Sequence, residues 1–369
     1  MKYLDEFRDN KLAEYLLDEI SKTVTRDWRI MEICGGQTHA IVQYGIDKLL
    51  PEEIQLIHGP GCPVCVTPLG IVDQAIEIAQ QSQVIFMSFG DMLRVPGSRF
   101  DLLNARSLGA DVRFVYSPLE ALNIARDNPE KQVVFFAIGF ETTAPANAMA
   151  IKQASIENLN NFTVLTSQRL VPPAIDAILS LPDCQINGFL AAGHVCSIMG
   201  YWQYESLAQK FHIPFVPTGF EPVDLLQGIL MLIKQLEAGK YGVKNQYKRW
   251  VTRNGNMAAQ QIMQEVFTVV DAEWRGIGII ASSGLGVREA FQQFDASFTF
   301  KPKAAKPVES NLCISGDVLR GMAKPTQCPA FGCECTPAHP LGATMVSSEG
   351  ACAAYYKYHR LVSEPAKAI

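Results

Sequence analysis

Short, almost entirely apolar runs alternate with helical stretches before residue 220, and this alternation constrains the fold more than any other feature of the sequence. Strands that are buried on both faces of a parallel sheet have this continuous apolar character, and helices connect them. The runs occupy residues 29–33, 54–58, 84–89, 112–116, 133–138, 163–166, 188–192 and 215–216, and helical stretches begin near residues 67, 98, 118, 143, 172, 195 and 222. The sequence therefore predicts an α/β fold.

So many strands exceed what one small sheet usually holds, and the sequence predicts two parallel-sheet α/β domains with a boundary near residues 115–130. A polar, glycine-containing stretch at 239–256 indicates a crossing into a third unit. The predicted division is an amino-terminal helix that packs on the third domain, two α/β domains and a Cys-rich third domain: residues 1–24, 25–120, 121–240 and 241–369.

The third unit begins with regular secondary structure and ends without it. Its pattern predicts a helix at 257–270, a strand at 276–281 and a helix at 287–294. From residue 313 to 352, Cys, Pro and Gly are dense and no periodicity indicates a conventional core. A bound metal group could supply the missing organisation, because ligand bonds stabilise small, loop-rich units.

Charge and hydropathy exclude two classes of partner. The 37 acidic and 32 basic side chains leave a net charge of −5 with no dense Lys/Arg block, so nucleic acid is not an expected partner. The longest apolar stretch, 225–233, is too short for a bilayer span, and Asp5, Glu6 and Arg8 interrupt any signal peptide. The sequence predicts a cytoplasmic protein, in which ten cysteines favour metal ligands or redox-active thiols over structural disulfides.

Four late cysteines have the irregular spacing of ligands that converge from loops. The pattern is Cys313-x14-Cys328, Cys328-x6-Cys335 and Cys335-x16-Cys352, and Cys333 forms an additional Cys-x-Cys. An iron–sulfur cluster is compatible with this spacing. Zinc is the competing metal, although zinc sites usually show two close Cys pairs with wider gaps than the single residue found here. Buried, reduced cysteines that pack as small hydrophobic side chains are the third interpretation.

Cys62 and Cys65 form a Cys-x-x-Cys pair in the segment GPGCPVC (59–65), between a predicted strand and a predicted helix. Helix-terminal amides stabilise a thiolate in this position, and the two sulfurs can form a disulfide. Zinc binding by the pair is the alternative, but the chain has no second Cys-x-x-Cys to complete such a site.

Cys34 opens a second thiol-containing segment, CGGQTH (34–39), at the carboxyl end of another predicted strand. Ligands bind at this edge of parallel α/β sheets, so the two segments are predicted to share one site. Gly35 and Gly36 allow the backbone to approach a ligand, and His39 offers a nitrogen within about a turn of the sulfur. Taken alone, Cys34 would more often be a buried structural cysteine.

Glu141 follows a third predicted strand, in the segment GFETTAP (139–145). This segment could bind an anion or place Glu141 at a site. Helix capping by Thr142 or Thr143 explains it equally well.

Three further side chains are interpreted as structural. His194, after another predicted strand, is expected to be a hydrogen-bonded structural residue, and Cys184 and Cys196 are expected to be bystanders. Neither Gly-x-Gly-x-x-Gly nor a phosphate-loop motif is present, so nucleotide binding has no support.

Several of these segments belong to longer motifs that follow one another over nearly the whole chain. They are CGGQTH at 34–39, GPGCPVC at 59–65, SFGDMLRVPGS at 88–98, GFETTAP at 139–145, and CPAFGCECTP with VSSEGACAAYYKY within 328–358. In this order they resemble the HypD family of [NiFe] hydrogenase maturation proteins. The resemblance implies two similar α/β domains and a third domain that carries a [4Fe–4S] cluster.

The resemblance also implies a function. The family member is a scaffold on which the Fe(CN)2(CO) group of the hydrogenase active site is assembled. It pairs with the chaperone HypC, which shares the iron, and accepts cyanide from HypE, which acts with HypF. A monomer that forms transient heterocomplexes is therefore expected.

Residue roles carry over by position. Cys34 is the implied iron ligand, His39 ends the same motif, and Cys62 and Cys65 are the implied redox-active pair. The implied cluster ligands are Cys313, Cys328, Cys335 and Cys352, which leaves Cys333 as an extra where the family often has another residue. We hypothesise that electrons pass from the cluster through Cys62 and Cys65 toward iron at Cys34, with the three loops meeting in a cleft between domains.

Two other classes of function remain open at this stage. A cluster-dependent thiol–disulfide reductase that acts on a protein partner would share the cluster and the Cys-x-x-Cys pair but needs no bound low-spin iron. A non-catalytic interaction protein would use zinc only to fold its third domain.

Overall fold

Two β-sheets flanked by helices make up the computed structural model, which describes residues 5–301 and 309–363. The strands are Trp28–Glu32 (β1), Ile54–His58 (β2), Val84–Ser88 (β3), Asp111–Phe114 (β4), Gln132–Gly139 (β5), Phe162–Arg169 (β6), Gly188–Ala192 (β7), Pro214–Thr218 (β8), Gly242–Val243 (β9), Phe267–Trp274 (β10) and Gly278–Val287 (β11).

Helices connect most of these strands. The α-helices are Asn10–Thr23 (α1), Gly35–Gln43 (α2), Ile46–Leu49 (α3), Pro63–Val66 (α4), Leu69–Ala79 (α5), Leu102–Ser107 (α6), Pro118–Asp127 (α7), Ala144–Ile156 (α8), Val171–Leu179 (α9), Gly193–Met199 (α10), Trp202–Phe211 (α11), Pro222–Glu237 (α12), Met257–Val266 (α13), Ala296–Thr299 (α14), Ser315–Leu319 (α15) and Ala351–Ser363 (α16). Short 3-10 turns occupy Asp5–Phe7, Gly90–Arg94, Glu289–Phe294, Pro325–Gln327 and Ala343–Met345. None of the helices in the described ranges has the length and apolarity that crossing a bilayer requires.

Sheet A has the strand order β2-β1-β7-β8-β9, and all of its pairs are parallel. Sheet B has the order β10-β11-β6-β5-β3-β4. Its β6, β5, β3 and β4 are parallel, whereas β11 and β10 extend it by antiparallel pairing. The prediction of an α/β fold with parallel sheets is confirmed.

The chain fills the two sheets alternately, which differs from the predicted division. β1 and β2 enter sheet A, β3 to β6 build sheet B, β7 to β9 return to sheet A, and β10 and β11 complete sheet B. The sheets therefore do not correspond to residues 25–120 and 121–240, and the predicted boundary near 115–130 falls inside sheet B. Periodicity indicates which runs are strands but carries no information on which strands pair.

Within the predicted third domain, the first half belongs to sheet B. The predicted helix at 257–270 ends at Val266, because the segment that starts at Phe267 contains the β-branched run 268–270 and pairs as β10 with β11. The predicted strand at 276–281 is longer, and the predicted helix at 287–294 is a 3-10 turn: they correspond to Gly278–Val287 and Glu289–Phe294. Residues 241–369 are therefore not one separate Cys-rich unit.

The amino-terminal helix packs on sheet A's side of the molecule. Asp9 caps α1 by accepting a hydrogen bond from the Leu12 N–H at 2.9 Å. Leu16 and Ile20 are its buried residues, and they pack with α12 in one apolar cluster. This corrects the prediction that the helix packs on the third domain.

The two sheets share a core with the Cys-rich segment, which we define as residues 309–363. Phe189 of sheet A, Phe136 of sheet B and Val346 of the Cys-rich segment belong to the same cluster of buried apolar side chains. Cys34, Cys62 and Cys65 are in that cluster too. The residues of interest therefore lie where three parts of the molecule meet.

Candidate functional site

Cys34 and His194 lie where the connections of sheet A diverge. Cys34 follows β1, His194 lies in the first turn of α10 after β7, and β1 and β7 are neighbours. The chain continues from β1 to β2 on one side and from β7 to β8 on the other, and ligands of open parallel sheets bind at such a divergence, at the carboxyl ends of the strands. Cys34 Sγ is 3.5 Å from His194 Nδ1. These two side chains form the centre of the candidate site.

Burial controls the charge of this pair. Cys34 is 1% exposed, and burial raises the pKa of its thiol, with the Glu349 and Glu32 carboxyls raising it further. Burial also lowers the pKa of His194 to about 4. Both side chains are therefore neutral at pH 7. A sulfur and an imidazole nitrogen suit a transition metal rather than Mg²⁺ or Ca²⁺, and a metal that binds Cys34 must displace its proton.

The Cys-x-x-Cys segment lies directly against the Cys34 backbone. The Gly35 N–H donates to the Gly61 carbonyl at 2.9 Å, and a Cβ on Gly61 would overlap the Cys34 backbone. Cys62 and Cys65 are joined by a disulfide, with their Cα atoms 5.2 Å apart. The structure therefore brings the two predicted thiol segments into contact at one sheet edge.

His39 holds the Cys-rich segment instead of facing the Cys34 sulfur. Its Nδ1 is 2.9 Å from the Ser348 carbonyl oxygen, and its Nε2 is 3.1 Å from the Tyr358 hydroxyl. The Glu349 backbone packs against Gly35, where any Cβ would overlap it. The imidazole beside the Cys34 thiol is that of His194, and the Cys-rich segment covers the loop from outside.

The four late cysteines predicted as ligands lie near one another. Burial raises the pKa of Cys352 to about 12, and the thiols of Cys313, Cys335 and Cys328 are close enough to raise it further. The pKa of Cys335 is likewise raised by burial, and then by Cys313 and Cys328. Cys333 is exposed, whereas Cys335 and Cys352 are buried. The structure thus separates Cys333 from the other four.

Hydrogen-bond donors point at the sulfurs of this group. The Leu341 N–H donates to Cys335 Sγ at 3.4 Å, and the Thr344 hydroxyl donates to Cys352 Sγ at 3.2 Å. Hydrogen bonds to sulfur are typical around thiolate-bound clusters, and they tune the bound group. These four cysteines therefore fit a [4Fe–4S] cluster in number, proximity and donor surroundings.

A single metal ion is the other group that these cysteines could hold. In the described ranges, no group of three or more His, Cys, Asp or Glu side chains converges as a site for one ion. A zinc ion needs four ligands in one tetrahedron, whereas a four-iron cluster receives each thiolate at a different iron atom. The choice between a cluster and zinc therefore stays a prediction.

One short turn lies between the disulfide and the four late cysteines. α4, which contains Cys65, packs against the 3-10 turn Ala343–Met345. Thr344 of this turn is the residue whose hydroxyl contacts Cys352 Sγ. The disulfide is therefore next to the Cys-rich segment on one side and the Cys34 backbone on the other.

Glu141 is buried at the carboxyl end of β5 and caps a neighbouring helix. Its Oε1 accepts a hydrogen bond from the Val171 N–H at 2.9 Å at the start of α9, and its Oε2 has no hydrogen-bond partner within the described residues. Thr143 is the N-cap of α8 but makes no side-chain capping bond, so the predicted capping by this residue is not observed. Burial raises the pKa of Glu141 to about 7.

Replacing Glu141 with glutamine should flatten the pH dependence of stability. The folded pKa of about 7 lies above the ordinary value of 4.5, so the folded state retains a proton that the unfolded chain releases between these values. The free energy of unfolding of the parent protein therefore falls as the pH rises through this window. Between pH 5 and pH 8, urea unfolding should show a loss of unfolding free energy about 2–3 kcal/mol larger for the parent than for Glu141→Gln. Equal losses of unfolding free energy in the two proteins would contradict a raised pKa of Glu141 in the folded state.

Sequence reasoning missed several residues of the site. The sequence predicts a structural role for His194, although its position after a predicted strand matches that of Cys34. What could not be read from the sequence is that β1 and β7 are neighbours. Glu32 and His58 were also missed, and their signal was a polar side chain at the end of an otherwise apolar run.

Nearly the whole chain is similar to one family of known proteins. The family model HypD, described as "Hydrogenase formation hypA family", matches residues 11–359. The chain is 46% identical over 372 residues to hydrogenase maturation factor HypD of Escherichia coli (strain K12), which covers 99% of this chain and 100% of that protein. It is 49% identical over 369 residues to hydrogenase expression/formation protein HupD of Azotobacter chroococcum mcd 1, with coverage of 98% and 97%. Identity to HypD of Azotobacter vinelandii is 48%, with the same coverage.

Proposed function

Because the chain belongs to the HypD family of hydrogenase maturation factors, we propose that it is the scaffold on which the Fe(CN)2(CO) group of [NiFe] hydrogenase is assembled, with Cys34 as its iron ligand. One observation carries the proposal. The buried Cys34 thiol lies 3.5 Å from the His194 imidazole, at the carboxyl ends of β1 and β7 and next to the Cys62–Cys65 disulfide segment. A soft thiolate donor in a site closed to water suits low-spin iron with cyanide and carbonyl ligands.

A single protein thiolate is also a suitable ligand for an iron group that must later be transferred to another protein. Iron held by four ligands of one chain would stay there, whereas iron held by Cys34 and by one ligand of a partner can be handed on. In this proposal the chaperone HypC supplies the second ligand, and HypE, acting with HypF, supplies cyanide. Because burial lowers the pKa of the neighbouring His194 to about 4, this imidazole stays neutral, and the proton that Cys34 loses leaves the site when the iron binds.

The redox parts of the proposal rest on the cysteine pair and the Cys-rich segment. Cys313, Cys328, Cys335 and Cys352 would hold a [4Fe–4S] cluster, which supplies single electrons when it is bound. When the disulfide opens, Cys62 and Cys65 take up two electrons and two protons and become thiols. The contact of α4 with the turn Ala343–Met345 supports a redox link between these two parts.

An infrared spectrum of the anaerobically co-purified protein and chaperone tests the proposal. We expect bands of metal-bound carbonyl and cyanide in the parent complex and none in a complex with Cys34→Ala. Cys184→Ala is the matched control, because Cys184 is a free cysteine outside the site and its removal should leave the bands unchanged.

A complex without such bands, but with its cluster intact and the disulfide cycling, would contradict the scaffold function. That outcome would favour the second candidate, a cluster-dependent thiol–disulfide reductase, for which the disulfide between Cys62 and Cys65 is the supporting observation. If the bands persisted in the Cys34→Ala complex, a residue other than Cys34 would be the iron ligand.

A further inference from the structure

A fully buried carboxyl group organises the backbone that carries Cys34. Glu32, the last residue of β1, is 0% exposed. Its Oε2 accepts a hydrogen bond from the Cys34 N–H at 3.1 Å, and its Oε1 accepts one from the Thr38 hydroxyl. Burying a carboxyl group is strongly unfavourable unless hydrogen bonds compensate, so these donors fix the loop in one arrangement around Glu32.

The same carboxyl group is bonded to the next strand. Glu32 and His58 are opposite each other in the parallel register of β1 and β2, and His58 Nδ1 lies 2.6 Å from Glu32 Oε1. His58 is itself buried. The sheet register thus places a third hydrogen-bond partner against the carboxyl group that positions Cys34.

The chain of hydrogen bonds then leaves the sheet and enters the Cys-rich segment. His58 Nε2 is 3.0 Å from the Tyr355 hydroxyl, and the two rings meet edge to face with centroids 5.3 Å apart. Tyr355 lies on α16, three residues after Cys352. A hydroxyl that donates to Nε2 leaves the ring proton on Nδ1, where it can donate to Glu32.

We propose that Glu32, His58 and Tyr355 are positioning residues, which form a relay through which docking of α16 holds the Cys34 loop closed. The inference deepens the proposed function and rests on it only for the identity of the bound iron. When α16 is docked, Tyr355 orients His58, His58 completes the bonds of Glu32, and Glu32 fixes the Cys34 N–H. When α16 is displaced, His58 loses the Tyr355 hydroxyl that orients it, its bond to Glu32 is no longer fixed, and the Cys34 loop opens. The Cys-rich segment therefore controls access to the thiol.

The test measures how fast iodoacetamide alkylates Cys34 in the full-length, cluster-loaded protein, with peptides quantified by mass spectrometry. Tyr355→Phe removes one hydroxyl and keeps the ring. Loss of a hydrogen bond in a network with a buried carboxyl group should make Cys34 react about tenfold faster. Tyr356→Phe is the matched control, because it removes a hydroxyl from the adjacent residue of the same helix and should leave the rate unchanged.

Cys196 gives an internal reference in the same experiment. It is a fully buried free cysteine two residues after His194, and the relay does not include it. The proposal requires Cys34 to accelerate while Cys196 does not. Equal acceleration of both cysteines would mean general loosening and would overturn it, as would equal Cys34 rates in the two tyrosine variants.

A second variant distinguishes loss of the relay from a general folding defect. His58→Gln keeps a hydrogen-bonding side chain on the sheet, and in combination with Tyr355→Phe it should add little further acceleration, because both changes break one relay. Fully additive effects would contradict the relay. The alkylation rates need no iron group, so a complex that lacks carbonyl and cyanide bands but retains this pattern would refute the scaffold function alone.

Discussion

Replacing Cys335 with serine should remove the iron–sulfur absorbance of anaerobically purified protein, whereas replacing Cys333, two residues earlier, should leave it intact. Cys335 is buried, its sulfur accepts the Leu341 N–H, and Cys313 and Cys328 lie close enough to raise its pKa. Cys333 is exposed. A serine hydroxyl is a poor ligand for the iron of such clusters, which thiolates bind. Iron content should fall from about four atoms per chain to near zero in Cys335→Ser alone.

The Cys335→Ser change should also loosen the surrounding chain. The apolar cluster at this position is small, with Ala330, Cys335, Met345 and Cys352 as its buried members. Such a cluster provides little hydrophobic stabilisation, so ligand bonds would have to organise the segment. Limited proteolysis should therefore cut the Cys-rich segment of Cys335→Ser faster than that of Cys333→Ser. If iron and absorbance persisted in Cys335→Ser and vanished in Cys333→Ser, the third ligand would have to be reassigned. If the parent protein contained zinc instead of iron, the four cysteines would not be the ligands of an iron–sulfur cluster.

The individual strands of this fold could be predicted because their signal is local. The apolar run at 54–58 coincides with β2, Ile54–His58, and the run at 188–192 coincides with β7, Gly188–Ala192. The strand order could not be predicted, since it depends on contacts between residues far apart in sequence. β1 pairs with β7 more than 150 residues later, as the register of Ile30 with Gly188 shows.

The junction of α13 and β10 shows how a helical pattern can be extended too far. Met257–Val266 is helical, and the apolar residues of 267–270 continue at a spacing that a helix also tolerates. The structure resolves the ambiguity in favour of a strand, because β11 offers a partner for Phe267 at Val287 and for Thr268 at Gly286. A β-branched run next to a polar turn favours the strand, but tertiary pairing decides it.

One general rule predicts part of the site: ligands bind at the carboxyl ends of the strands in a parallel sheet. That Cys34 and Cys62 follow strands was enough to expect them at one edge, and the Gly35 to Gly61 hydrogen bond joins their loops. The sequence does not indicate which histidine provides the imidazole next to the Cys34 thiol. His39 is closer to Cys34 along the chain, but α2 directs its ring to Ser348, whereas His194 arrives from the neighbouring strand.

Gly61→Ala tests this convergence without removing any cysteine. A Cβ at position 61 would overlap the backbone nitrogen and Cα of Cys34, and backbone atoms cannot move aside as a flexible side chain can. The two loops must separate, which also strains the Gly35 to Gly61 hydrogen bond. We expect a loss of unfolding free energy of about 1–3 kcal/mol, as for other overpacked cores, together with loss of the carbonyl and cyanide bands.

Gly70→Ala is the matched control for this change. Gly70 lies in the first turn of α5, and a Cβ there would meet no atom within 4 Å. Alanine is the better helix former by about 1 kcal/mol, so this variant should be as stable as the parent or slightly more stable, and it should keep its infrared bands. Thermal unfolding and infrared spectra of the two variants therefore separate close packing of the loops from a general effect of Gly-to-Ala exchange. Gly61→Ala with unchanged stability and bands would mean that the two cysteine segments act without this contact, and that Cys34 alone accounts for the iron site.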